Sequence, residues 1–86
     1  MIIRFAHTFR KSLAKLTTAQ KRRVAQTIRV FRNNPFAQSL RNHALKGDMQ
    51  GLRAFSVAFD LRIVYREEGD HAIVLLLRVG SHAKVY

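Results

Sequence analysis

The run Ile73-Val74-Leu75-Leu76-Leu77 is continuously apolar. Such a run reads as a strand covered on both faces, so the chain must build a sheet around it and supply at least one layer to pack on that sheet. The strand partners are close by. Leu52–Val57, Leu61–Tyr65 and Ala72–Val79 are rich in aliphatic, aromatic and β-branched residues, and Glu67-Glu68-Gly69-Asp70 between the last two reads as a hairpin turn. Gly80 and Ser81 then bend the chain ahead of Ala83–Tyr86.

The first half supplies the covering layer. Met1–Phe5 is short and apolar enough for an opening strand, and Thr8 is placed to cap a brief helix whose apolar face is Phe9, Leu13 and Leu16. A second helix is better marked. Thr17 and Gln20 have capping-box spacing, Val24, Ile28 and Phe31 recur at i, i+4 and i+7, and Asn33-Asn34-Pro35 stops the run. Lys21, Arg22, Arg29 and Arg32 fall on its solvent side. The expected fold is α+β, β-α-α-β-β-β, with two N-terminal helices on one face of a small antiparallel sheet and the other face free for function. At 86 residues the chain has room for one core, so residues 1–86 are expected to form one domain. There is no cysteine, hence no disulfide and no Cys-based zinc site to brace it.

Charge narrows the partners. Sixteen Lys and Arg stand against five Asp and Glu, a net +11, and the first 46 residues contain no acidic side chain. A field this one-sided draws polyanions, whether nucleic acid, an anionic membrane or an acidic protein. Met1–Phe5 lacks the apolar run of a secretory signal and no stretch approaches the ~20 apolar residues of a bilayer span, so a cytoplasmic chain with no membrane partner is expected. The histidines, His7, His43, His71 and His82, show no i, i+4 pairing and no HExxH, and the chain has no Walker loop, GxGxxG or GxSxG. Neither a metal nor a small-molecule cofactor is implied. His7, beside a helix start, and His71, beside a turn, read as exposed surface residues. Tyr65 and Phe55 read as core.

Four segments in the C-terminal half follow one another in a recognisable order: Asn42-His43-Ala44-Leu45-Lys46-Gly47, Gly51-Leu52-Arg53, Asp60-Leu61-Arg62-Ile63-Val64-Tyr65, and Arg78-Val79-Gly80-Ser81-His82-Ala83-Lys84-Val85-Tyr86. Together they resemble the RelE/ParE toxin superfamily, and most closely its YafQ-like branch. There a His-x-Leu-x-Gly turn leads into the sheet, an Asp-x-x-x-x-Tyr strand follows, and the chain closes on Gly-Thr-His with an aromatic four residues on. The resemblance implies a toxin that cuts messenger RNA, on the ribosome, without a metal, and that is silenced by an acidic antitoxin. It implies a catalytic set of His43, Asp60, His82 and Tyr86, with Arg62 from the RelE pattern, and RNA contacts from Lys46, Arg53 and Lys84. One position departs: Ser56 stands where the YafQ-like pattern has a second histidine.

These residue types suit the chemistry. Cleavage by the RNA's own 2′-hydroxyl needs a base, an acid for the departing 5′-oxygen and a cation for the phosphate. Histidine titrates near ~6.5 and can serve as either acid or base, and arginine forks match two phosphate oxygens. Tyr86 could stack on a base or orient the hydroxyl, and Asp60 could act as base or fix a histidine tautomer. Two other readings fit the same charge: a ParE-like inhibitor of DNA gyrase, and a basic RNA-binding module without catalysis.

Overall fold

The computed structural model describes residues 1–70 and 72–86; the reading of His71 lies outside them. Strand β1 (Ile2–Phe5) leads into helices α1 (His7–Ala14) and α2 (Thr18–Asn33). A two-residue strand β2 (His43–Ala44) follows, then β3 (Arg53–Ala58), β4 (Leu61–Glu68) and β5 (Ile73–Gly80), and finally a one-turn helix α3 (His82–Val85). The sheet order is β1-β5-β4-β3-β2. All neighbours are antiparallel except β1, which runs parallel to β5 with Ile2 opposite Ile73 and Phe5 opposite Leu76.

The sequence signals of α2 act as read. Thr17 accepts from the Gln20 backbone N–H at 3.1 Å, Gln20 returns the bond to Thr17 N–H at 2.9 Å, and the helix ends at Asn33, before Pro35. Thr8 does not cap α1. The cap position is Ala6, and the Thr8 hydroxyl instead donates to Leu77 O at 2.6 Å. Its neighbour on the next turn, Ser12, accepts from Val79 N–H at 3.0 Å. β1 has ended by this point, so two hydroxyls of α1 take up groups of β5 that no strand covers.

Phe9, Val24 and Phe31 from the helices meet Phe55, Val57, Leu61, Ile63, Tyr65, Val74, Leu76 and Val79 from the sheet in the main core. At its centre Phe31 stacks on Phe55, centroids 4.4 Å apart and 13° from parallel, while Tyr65 presents an edge to Phe31 at 5.1 Å. Such pairs add about 0.5–1.5 kcal/mol each beyond the area they bury. The apolar run is interior, as expected, but its two faces differ. Val74 and Leu76 are buried under the helices, whereas Ile73, Leu75 and Leu77 on the opposite side are only half-buried. That second face carries a small patch of its own, in which Ala54, Val64 and Val85 are buried and Leu45, Met49, Leu52 and Leu77 pack around them.

Candidate functional site

Register assigns each polar side chain to a face. Directly opposed residues of paired strands share a side, and i, i+2 neighbours share it too. Two rows therefore cross the face opposite α1 and α2, on which α3 packs through Val85: His43, Ala54, Val64 and Arg78 in one, Ser56, Arg62 and Gly80 in the next. Arg62 is flanked across the sheet by Ser56 and Gly80, and a quarter of its side chain is exposed.

The end of the sheet where this second row lies gathers four of the expected residues. Phe59 and Asp60 form the two-residue link between β3 and β4. Asp60 lies 3.6 Å from the Arg62 guanidinium and accepts from the His82 backbone N–H at 3.2 Å, so one carboxylate ties the hairpin to the start of α3. His82 and Tyr86, one turn apart, meet edge to face with ring centroids 4.4 Å apart. Val85, the buried residue of α3, fixes this turn to the patch of Ala54 and Val64. Burial raises the Tyr86 phenol above its ordinary 10.0, with the positive charge of Arg62 pulling the other way. Tyr86 thus stays a neutral hydrogen-bond donor at physiological pH.

His43 reaches the same face from β2, two strands and one row away from Arg62, or about 12 Å between Cα atoms at ordinary strand spacing. Its Nδ1 lies 2.9 Å from Arg41 O. A carbonyl can only accept, so Nδ1 is the ring N–H that donates here, and Nε2 is left out of this bond. Asn42 holds β2 in place. Its amide donates to Pro35 O at 2.9 Å and to the Tyr65 hydroxyl at 2.8 Å, and its oxygen accepts from Arg53 Nε at 3.0 Å.

That last bond places Arg53 elsewhere. Arg53 opposes Tyr65, on the helix side of the sheet, and its guanidinium lies 5.3 Å above the Phe36 ring. It is a packing residue there and does not join Arg62. The sequence reading missed Arg78. A bulge at Leu77 turns Arg78 to the face opposite α1 and α2, beside Val64, where a terminal nitrogen lies 3.9 Å from Met49 Sδ and Nε is buried without a hydrogen-bond partner. The guanidinium is half-buried, and this N–H is unpaired among the described residues. Its signal was a charge late in an otherwise apolar strand. Lys46 and Lys84 are exposed, Lys46 in the β2–β3 loop and Lys84 on α3. Ser56 faces this same side opposite Arg62, a hydroxyl where the YafQ-like pattern would bring an imidazole. Among the described residues no three His, Cys, Asp or Glu side chains converge as a metal centre requires, and no helix is long and apolar enough to cross a membrane.

A family model described as bacterial toxin of type II toxin-antitoxin system, YafQ, matches residues 1–86. No curated protein sequence matches the chain significantly. Among solved structures, the chain is similar to the YoeB/ParE toxin from Agrobacterium tumefaciens (24% identity, TM-score 0.77, covering 95% of this chain and 99% of that one). It is similar to YafQ from E. coli (22%, TM-score 0.76, 98% and 96%). A third likeness is to the toxin-antitoxin complex RelBE2 from Mycobacterium tuberculosis (25%, TM-score 0.64, 94% and 96%).

Proposed function

The chain belongs to the YafQ family of toxins from bacterial type II toxin-antitoxin systems, and from that premise we propose that it is an endoribonuclease that cuts messenger RNA on the ribosome and is silenced by an acidic antitoxin. The observation that carries this reading is the grouping of Asp60, Arg62, His82 and Tyr86 at one end of the sheet face opposite α1 and α2.

The RNA lies across that face, with the scissile phosphate at Arg62 and Arg78. His43 Nε2 takes the proton of the 2′-hydroxyl; the 2′-oxygen attacks phosphorus, the bond to the 5′-oxygen breaks, and His82 protonates that oxygen as it leaves. The product is a 2′,3′-cyclic phosphate, with every proton accounted for and no metal in any step. Arg62 and Arg78 stabilise the negative charge of the five-coordinate phosphorus, a role worth about 10²–10³ in rate for one preorganised donor. Tyr86 donates to the substrate or stacks on it, and Asp60 positions Arg62 and the first residue of α3. Lys46 and Lys84 hold flanking phosphates. The antitoxin assignment draws on the RelBE2 likeness and on the +11 charge.

The test uses purified chain with ribosomes programmed by a defined message. Cleavage with a cyclic-phosphate end, abolished by antitoxin, is expected. Intact message in cells whose DNA synthesis fails first would replace this reading with gyrase inhibition.

A further inference from the structure

Phe59 is 97% exposed at the tip of the β3–β4 link. A phenyl ring left in water at a two-residue turn adds almost nothing to the fold, since it buries almost no surface. Beside it opens a cleft of about 1070 Å³ between the hairpin tip, α1 and α3, whose walls carry Lys11, Lys15, Arg23, Arg78 and Lys84 against the single carboxylate of Asp60. Arg23 is partly engaged, donating to Val57 O at 3.2 Å, whereas Lys11, Lys15 and Lys84 are exposed. Phe59 and Asp60 are consecutive, so their Cα atoms stand ~3.8 Å apart. Phe59, which lines this cleft, is therefore next in the chain to the group formed by Asp60, Arg62 and His82.

We propose that Phe59 and the Lys11–Lys15–Lys84 cleft form a binding subsite for the single-stranded RNA that flanks the cleaved bond, one base stacking on Phe59 and the following phosphates lying in the cleft. This rests on the ribonuclease reading above and extends it beyond the residues that reading uses. A flat aromatic ring flanked by exposed cations matches the two needs of single-stranded nucleic acid, a surface for a base and charge for its backbone, without demanding a particular sequence. An acidic peptide would instead seek a continuous apolar floor with a basic rim. Such a floor exists elsewhere, between α1 and α2, where Phe5, Phe9, Leu13, Val24 and Ile28 are rimmed by basic side chains. Among the described large apolar side chains that are exposed, Phe59 is the one that lines the cleft.

The probe is a ten-nucleotide 2′-O-methyl RNA, which cannot be cut, carrying 2-aminopurine, with cleavage of ribosome-bound message read alongside. Phe59→Ala is expected to weaken binding roughly ten- to a hundredfold, the range for one base stacked on an aromatic, and to relieve 2-aminopurine quenching. Phe59→Tyr should behave as the parent. Phe59→Leu, which keeps apolar bulk without a ring, should behave as Phe59→Ala. Replacing Lys11 and Lys15 together by Ala should flatten the dependence of log affinity on log salt by about 1.4, at ~0.7 per phosphate contact. The inference is overturned if a parent that cuts ribosome-bound message is matched in binding and cleavage by Phe59→Ala, or if Phe59→Leu retains full binding. It is overturned equally if Phe59→Ala loses only antitoxin affinity, which would make the ring a protein contact. A parent that neither binds nor cuts RNA would remove the ribonuclease reading itself.

Discussion

Replacing His82 by alanine separates chemistry from architecture. The side chain is exposed, and the contact seen for its ring is the edge-to-face meeting with Tyr86 at 4.4 Å. Losing that pair costs at most ~1.5 kcal/mol. The hydrogen bond to Asp60 comes from the backbone N–H, which alanine retains, and Val85 still anchors α3. Against a total stability of ~5–15 kcal/mol, the variant should stay more than ~99% folded, with its thermal midpoint lowered by no more than about 10 °C for a domain of this size. Loss of a general acid, in contrast, costs about 10²–10⁴ in rate, or ~3–5.5 kcal/mol of barrier. Thermal melts, antitoxin affinity and cleavage on programmed ribosomes would be measured on one preparation. His82→Gln should be as inactive as His82→Ala, because an amide fills the space but moves no proton near neutral pH. Full cleavage by a stably folded His82→Ala would remove this residue from the chemistry and leave His43, Asp60 and Tyr86 to account for it.

Val85 is 3% exposed, and Val85→Ala, by removing two buried carbons, should destabilise the fold by about 1–2 kcal/mol and lower cleavage further than that loss explains; hydrogen exchange at residues 82–86 would show α3 released. Burial holds the Tyr65 phenol above its ordinary 10.0, opposed chiefly by the Asn42 hydrogen bond. The unfolded chain then releases this proton first, so the contribution is complete below about pH 10 and is lost as pH rises through the folded value, by ~1.4 kcal/mol per pH unit at most. Tyr65→Phe should reduce that alkaline loss in melts followed from about pH 9 to about pH 11, and an unchanged pH profile would contradict it. Antitoxin binding should weaken as salt rises while an apolar component persists; titration calorimetry across ionic strength would refute this if affinity ignores salt.

What could be read in advance was local. The box of Thr17 and Gln20 and the stop at Asn33-Asn34-Pro35 fix α2 through bonds between near neighbours, and β4 and β5 announce themselves by residue type. The parallel pairing of β1 with β5 has no such marker, because nothing in Met1–Phe5 names a partner in residues 73–76. Alternation alone puts Arg53 on the side of Phe55 and Val57, both core residues, and away from Arg62. Alternation misleads at Arg78, where strict period two from Val74 and Leu76 points into the core and the bulge at Leu77 reverses it. The grouping of Asp60 with His82 depends on a backbone contact across the sheet end, which side-chain types do not encode.

The partnership of residue 2 with residue 73 also sets an order of events during synthesis. Closing so large a loop is slow relative to local contacts and cannot begin until β5 has been made. His82 and Tyr86 come later still in the chain, and their anchor, Val85, needs β3 and β4 already paired to receive it. A growing chain therefore carries its cationic N-terminal half before the residues of the chemical group are joined to it. The surface rich in Lys and Arg is thus complete in sequence before the site is assembled, and a partner that recognised it would meet the toxin before its chemistry exists.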